Sequence, residues 1–133
     1  MEKKLSLSLL VGVIIAVTGF TNSAHAAAVV NGTSCPKAGI FTIAKVKGVS
    51  KSYLCTTNPS PTGAKGLTWT LKTCVSYWAA AKNSQDSIDQ QRSLVSAMSE
   101  PDKTTYTKQL DGSQASLNKV FAAISSNHCR TGL

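Results

Sequence analysis

The chain has 133 residues, of which 14 are Lys or Arg and 6 are Asp or Glu, for a net charge of +8. This length suits one domain, or two small packed modules, with a modest core to which covalent crosslinks contribute materially. The sequence beyond residue 26 has one histidine and no Cys-x-x-Cys pair, Gly-rich phosphate loop or calcium loop. The sequence therefore argues against binding of a metal ion, a nucleotide or another cofactor.

The first 26 residues have the features of a secretory signal peptide. Lys3 and Lys4 precede an apolar stretch over 5–20, and Ala24-His25-Ala26 is a small-x-small cleavage site. The apolar stretch is shorter than the roughly 20 residues that cross a bilayer. We therefore predict export with cleavage after Ala26, and a location outside the cell or at the cell envelope.

Four cysteines follow the predicted cleavage site: Cys35, Cys55, Cys74 and Cys129. An even number of cysteines in an exported chain indicates disulfides, because such chains meet an oxidising environment. We therefore expect two disulfides, although the sequence allows three pairings.

Residues 27–72 have the signals of short strands. Residues 40–46 are rich in β-branched and apolar side chains, Gly48 marks a turn, and 52–56 resume an extended pattern, which together predict a hairpin. Pro59, Pro61 and Gly63 indicate a loop, and residues 67–71 then alternate apolar and polar side chains. The pattern predicts a three-stranded antiparallel β-meander.

Residues 73–133 change to a helical period. The first predicted helical face is Cys74, Trp78, Ala81, Gln85, Ile88, Arg92 and Val95, with Met98 one step beyond. The second is Tyr106, Leu110, Ser113, Leu117, Val120 and Ile124. Between them, Ser99-x-x-Asp102 resembles a capping box with Pro101 in the first turn. Gly112 costs about 1 kcal/mol inside a helix relative to alanine, so the sequence allows either one continuous second helix or a kink or split there.

The spacing of the cysteines favours one pairing. In an antiparallel helical hairpin, opposed residues lie equally far from the turn, and the midpoint between Cys74 and Cys129 falls between Pro101 and Asp102. A Cys74–Cys129 bridge would tie the open end of the hairpin, and Cys35 and Cys55 would then pair in the β-region. The predicted fold is α+β: a signal peptide at 1–26, a basic β-module at 27–72 and a helical hairpin at 73–133.

Part of the β-region carries a recognisable motif. Its residues are Cys35, Lys37, Gly39, Gly48, Tyr53, Cys55, Gly66 and Trp69. Over residues 33–72 this pattern resembles a small cysteine-bridged β-module that recurs in secreted proteins of Actinobacteria. The proline-containing connection over 56–65 is longer than in the usual form. The resemblance implies an actinobacterial source, a local disulfide and a local fold, and it implies no activity.

Positive charge is concentrated in the β-region. Residues 27–85 contain seven lysines and no acid, whereas the acids and bases from Asp86 onward balance. We predict contact with an anionic surface through Lys45, Lys47, Lys51, Lys65 and Lys72. The alternative is that these lysines only solubilise the strands and prevent edge pairing. Phe41, Tyr53 and Trp69 could stack on a ligand, or form the core of the small sheet.

The sequence favours a secreted or envelope-associated binding protein without enzymatic activity. Its partner would be an anionic cell-wall polymer or lipid surface, with nucleic acid less favoured. One alternative is a small hydrolase that uses Asp86, Asp89 or His128. The simpler interpretation is that the two aspartates lie on a solvated helix face. His128 would then lie at a helix C-terminus, where a basic side chain interacts favourably with the helix dipole. Another alternative is an effector or inhibitor that occupies a partner protein.

Overall fold

The computed structural model describes residues 28–133, so the predicted signal peptide lies outside the described residues. The elements in order are three strands, β1 (Phe41–Val46), β2 (Val49–Thr57) and β3 (Leu67–Leu71), two helices, α1 (Lys72–Ser96) and α2 (Asp102–Ile124), and a short π-helix, Ser125–Cys129. The sheet is antiparallel with order β1-β2-β3. The predicted α+β fold is confirmed, and so are both disulfides, Cys35–Cys55 and Cys74–Cys129.

A two-residue turn, Lys47-Gly48, joins β1 and β2. Val46 pairs with Val49, and both turn residues have positive φ, 51° and 80°. Two positive φ values are typical of the type I′ turn that suits the twist of a hairpin. Lys47 therefore lies in the turn and does not share a strand face with Lys45, because the chain reverses after Val46.

The segment before β1 covers the outer edge of β3. The amide N–H of Gly32 donates to Trp69 O at 2.8 Å, and Trp69 N–H donates to Thr33 O at 2.8 Å. Ser34 forms an isolated antiparallel bridge with Thr68. Cys35 then bonds to Cys55 of β2, so the disulfide fastens this segment to the central strand.

Helix α1 buries the predicted face. Cys74, Ala81, Ile88 and Val95 are buried, at the spacing of one side of a helix. The two polar interruptions of that face find partners on α2. Gln85 and Gln114 exchange two amide hydrogen bonds of 2.8 and 2.6 Å, and Arg92 donates to Asp111 at 2.8 Å.

Helix α2 turns a slightly different face to α1 than predicted. Leu110, Leu117 and Ile124 are buried as expected, whereas Tyr106, Ser113 and Val120 are exposed. Gln114 and Phe121, each one position later, point inward instead. Phe121 packs on Trp78 with ring centroids 4.8 Å apart. The contacts with Gln85 and Trp78 thus set the rotation of α2.

The prediction of a capping box in α2 is wrong, and the split considered at Gly112 does not occur. The helix runs unbroken through Gly112, because packing on either side of that position outweighs the small local cost of glycine. Its first turn also lacks the Ser99–Asp102 capping box. Pro101 stands just before the helix, and the Glu100 carboxylate accepts hydrogen bonds from the N–H and hydroxyl of Thr104 instead, at 3.2 and 2.6 Å.

One hydrophobic core joins the sheet to the helices. Tyr53 and Leu71 from the sheet pack with Cys74, Ala81, Ile88, Leu117, Ile124 and Cys129 from the helical region. The Cys74–Cys129 bridge lies in this core, where it ties the first turn of α1 to the π-helix. The sheet and the open end of the helical hairpin are therefore held against each other.

Candidate functional site

A cleft forms where β3 stops short of β2. β3 ends at Leu71, opposite Tyr53, so residues 49–52 of β2 have no partner in β3. Helix α1 begins at the next residue, Lys72, so the chain no longer runs alongside β2. The resulting cleft has a volume of about 630 Å³ and lies between residues 50–52 of β2, the first turns of α1 and the π-helix.

Three basic side chains line this cleft. Lys51 comes from β2, Lys72 from the first residue of α1, and His128 from the π-helix. The other polar lining groups are hydroxyls and one amide: Ser50, Ser52, Thr73, Ser76 and Asn127. Among residues 28–133, no carboxylate side chain lines the cleft. The cleft therefore has a positive potential that favours an anion.

The distribution of acids keeps the cleft positive. The first acid beyond residue 26 is Asp86, which lies nine residues beyond the cleft residue Tyr77 on α1. At the rise of an α-helix this is about 13 Å farther along the axis. The first turn of α1 has no acidic residue and no side-chain cap, so its free N–H groups add to the positive potential.

The disulfide between α1 and the π-helix brings the third basic group into place. Cys129 is bonded to Cys74, and the residue next to each bridge end faces the cleft, His128 on one side and Thr73 on the other. The His128 ring stands edge-on to Tyr77, with centroids 4.8 Å apart at 80°. His128 thus belongs to the cleft rather than only ending a helix.

The five predicted lysines do not form one group. Lys51 and Lys72 line the cleft, whereas Lys45 is exposed near the end of β1 and Lys47 lies in the hairpin turn. Lys65 lies in the loop before β3, where its Nζ donates to Pro61 O at 3.2 Å. The Nζ of Lys72 lies 5.7 Å from the centre of the ring of Phe41, which is exposed and is not one of the residues that line the cleft.

None of the three aromatic residues considered for ligand contact, Phe41, Tyr53 and Trp69, lines the cleft. Tyr53 is fully buried and donates a 2.9 Å hydrogen bond from its hydroxyl to Leu133 O, so it has no surface for a ligand. Trp69 is partly buried against the core. The aromatic side chain of the cleft is Tyr77, which is 48% exposed. The sequence signal was its place one turn after Cys74 and off the buried face of α1.

The residues of the hydrolase alternative are not brought together. Asp86 forms an ion pair with Lys82, and this contact raises the pKa of the Lys82 amine. Asp89 accepts a 2.9 Å hydrogen bond from Gln85. Both carboxylates lie on the exposed side of α1, whereas His128 lies beside Tyr77. The structure therefore favours the solvated helix face for the two aspartates.

Residues 28–133 contain no cluster of three His, Cys, Asp or Glu side chains that could hold a metal ion. None of the helices over the same residues is long and apolar enough to cross a membrane. Comparison with protein families, with characterised proteins and with solved structures gave no match to this chain.

Proposed function

We propose that this chain is an exported, non-enzymatic binding protein that holds an anionic polymer in the cleft between β2, α1 and the π-helix. The observation that carries the proposal is that Lys51, Lys72 and His128 all line one cleft, whose described lining has no carboxylate. Cationic side chains that converge on one concavity bind phosphate or carboxylate groups more tightly than scattered surface lysines do.

Export is supported by the covalent structure. Both disulfides are formed and no free cysteine remains among residues 28–133. Disulfides of this kind persist in oxidising compartments, and the signal-peptide pattern at 1–26 agrees with that location. The anionic partners that such a protein meets include phosphate-containing cell-wall polymers, acidic polysaccharides, acidic polypeptides and anionic lipid surfaces.

The test compares two double variants with the same loss of charge. Lys51→Gln with Lys72→Gln removes two cations from the cleft, and Lys45→Gln with Lys47→Gln removes two from the hairpin end. Binding to purified cell wall and to phosphatidylglycerol vesicles is measured by sedimentation at increasing salt. We expect binding to weaken steeply with salt, since exposed charges are screened within about 10 Å at 0.1 M.

The cleft variant should lose about tenfold or more in affinity, because each lysine contact to an anion contributes about 1.5 kcal/mol. The hairpin variant should change little. Equal losses in the two variants would show that charge acts over the whole surface and that the cleft is not the site. Binding that ignores salt, or no binding to either material, would also contradict the proposal.

A further inference from the structure

The main chain of β2 has a definite orientation relative to β1. The N–H of Cys55 donates to Ile40 O at 2.8 Å, and Cys55 O accepts from Gly39 N–H at 2.9 Å. Successive residues of a strand direct these groups to opposite sides. The main-chain groups of Tyr53 and Lys51 therefore also point to β1, while those of Ser52 and Ser50 point the other way, to the side of β3.

On that side β3 has already ended. The last pair between β2 and β3 is Tyr53 with Leu71, and the next residue, Lys72, is helical. This last pair is flanked by the hydrogen bond from Lys72 N–H to Ser52 O, and no β3 residue lies opposite Ser50. The N–H groups of Ser50 and Ser52 and the carbonyl of Ser50 thus form a short strand edge without a β3 partner along the wall of the cleft.

We propose that the cleft binds an extended acidic peptide segment, which adds to β2 as a strand along residues 50–52. This inference rests on the proposed function and names the chemical class of its ligand. A strand edge is completed by another polypeptide main chain, which supplies amide donors and acceptors at the matching spacing. Phosphate polymers and glycans have no such repeat.

Charge complementarity fixes the character of the segment. The side chain of Lys51 lies between the two edge residues and projects from the sheet on the same side as Tyr53, towards the core. A carboxylate on the residue that pairs opposite Lys51 meets it across the strands at about 5 Å between Cβ atoms. Lys72 and His128, on the other walls of the cleft, are placed for further acidic groups of the same segment.

The probe is a six-residue peptide that alternates glutamate and valine and has blocked ends. Two isomers of equal charge carry N-methyl groups on alternate amides, one isomer on the odd positions and the other on the even positions. In a paired strand only one of these sets faces β2. We therefore expect one isomer to bind about tenfold or more weakly than the parent peptide and the other to bind nearly as well.

Amide exchange measured by NMR on the disulfide-bonded protein gives the protein side of the same test. The Ser50 and Ser52 amides should exchange rapidly in the free protein and at least tenfold more slowly with the parent peptide bound. The Lys51 amide, which faces β1, is the internal control and should be protected in both states. Inorganic polyphosphate should leave the Ser50 and Ser52 amides unprotected.

Each outcome decides between charge and strand pairing. If the two N-methyl isomers bind equally, or if the Ser50 and Ser52 amides stay unprotected, strand addition is wrong. The proposed function would still hold in that case if polymer binding depends on Lys51 and Lys72. If polyphosphate binds and the peptide does not, the ligand is a phosphate polymer. If neither the peptide nor polyphosphate binds, strand addition is wrong, and the proposed function is wrong as well when cell wall and phosphatidylglycerol vesicles also fail to bind.

Discussion

The side-chain oxygen of Asn31 accepts a 2.8 Å hydrogen bond from the main-chain N–H of Leu71, 40 positions along the chain. The side-chain amide of the same residue donates to Arg130 O at 2.6 Å. Its main chain bonds to Gly132 and Leu133. One buried asparagine thus joins the N-terminal segment, the start of α1 and the C-terminal segment, and it supports two elements that enclose the cleft.

Replacing this residue should destabilise the protein. Asn31→Ala removes two side-chain hydrogen bonds and leaves the buried N–H of Leu71 without its partner. We expect the free energy of unfolding to fall by about 2 to 4 kcal/mol, since each unpaired buried polar group costs about 1 to 3 kcal/mol. Urea unfolding of the disulfide-bonded protein measures the change. Asn83→Ala, on the exposed side of α1, is the control and should leave stability within about 0.5 kcal/mol.

Gly112 offers a substitution that should stabilise the protein. A methyl group at this position would meet nothing within 4 Å, and the residue is in the interior of α2. Gly112→Ala should therefore raise the free energy of unfolding by about 1 kcal/mol. A lower stability would show that α2 needs the freedom of glycine there.

The opposite effect is expected at Gly63. A methyl group there would collide with the buried side chain of Asn58, whose amide donates to Cys129 O at 2.8 Å. Gly63→Ala should lower stability by about 1 to 3 kcal/mol through overpacking. Thermal unfolding of the Gly63→Ala and Gly112→Ala proteins should show midpoints on opposite sides of that of the parent protein. Two shifts of the same sign would contradict the packing described at one of the two positions.

The residue pattern predicted the features that depend on local periodicity, which are the strands and helices. It missed the features that depend on contacts between elements. The three strands and the buried face of α1 follow from spacing alone, and the cysteine midpoint correctly placed the hairpin turn. The predicted inner face of α2 was partly wrong. A search for apolar residues treats a polar residue such as Gln85 as an interruption and gives no reason to place Gln114 opposite it. In the structure it is half of a matched pair with Gln114.

The cleft could not be predicted for a similar reason. It exists because β3 is shorter than β2 and because a disulfide carries His128 to Tyr77, and neither relationship is visible as a motif. Spacing gave no reason to separate Lys51 and Lys72, which line the cleft, from Lys45 and Lys47, which do not. A charge-rich region is visible in a sequence, whereas a site requires the geometry of three elements.

The two disulfides should differ in their effect on stability. Cys74–Cys129 closes an interval of 55 residues and Cys35–Cys55 one of 20. A longer closed loop removes more conformational entropy from the unfolded chain, which predicts losses of about 4 and about 3 kcal/mol for the paired alanine variants. Urea unfolding of Cys74→Ala with Cys129→Ala and of Cys35→Ala with Cys55→Ala measures both losses.

The same pair of variants separates stability from the cleft. Of the two disulfides, Cys74–Cys129 is the one that anchors the π-helix beside the first turn of α1. Its removal should therefore weaken polymer binding, whereas removal of Cys35–Cys55 should not. Binding is measured under conditions where both variants are folded. The Cys35–Cys55 variant is the control for a general loss of stability. Equal binding by the two folded variants would show that the bridge does not position His128.

Tyr53 should make stability depend on alkaline pH. Burial raises the pKa of its phenol above the ordinary value of 10.0, because the phenolate would lose its hydration in the core. Between the ordinary and the raised value, the unfolded chain releases this proton while the folded protein keeps it. The contribution of Tyr53 to stability is therefore complete below pH 10 and falls as the pH rises through the pKa of the folded state.

Tyr53→Phe tests this relationship directly. The variant loses the hydrogen bond to Leu133 O and should be about 1 kcal/mol less stable at pH 7. Above pH 10 its stability should fall less steeply than that of the parent protein, so that the difference between the two narrows or reverses. Tyr106→Phe, at an exposed position, is the control and should keep the alkaline slope of the parent protein. If Tyr53→Phe and the parent protein instead lose stability in parallel above pH 10, the phenol does not titrate differently in the folded and unfolded states.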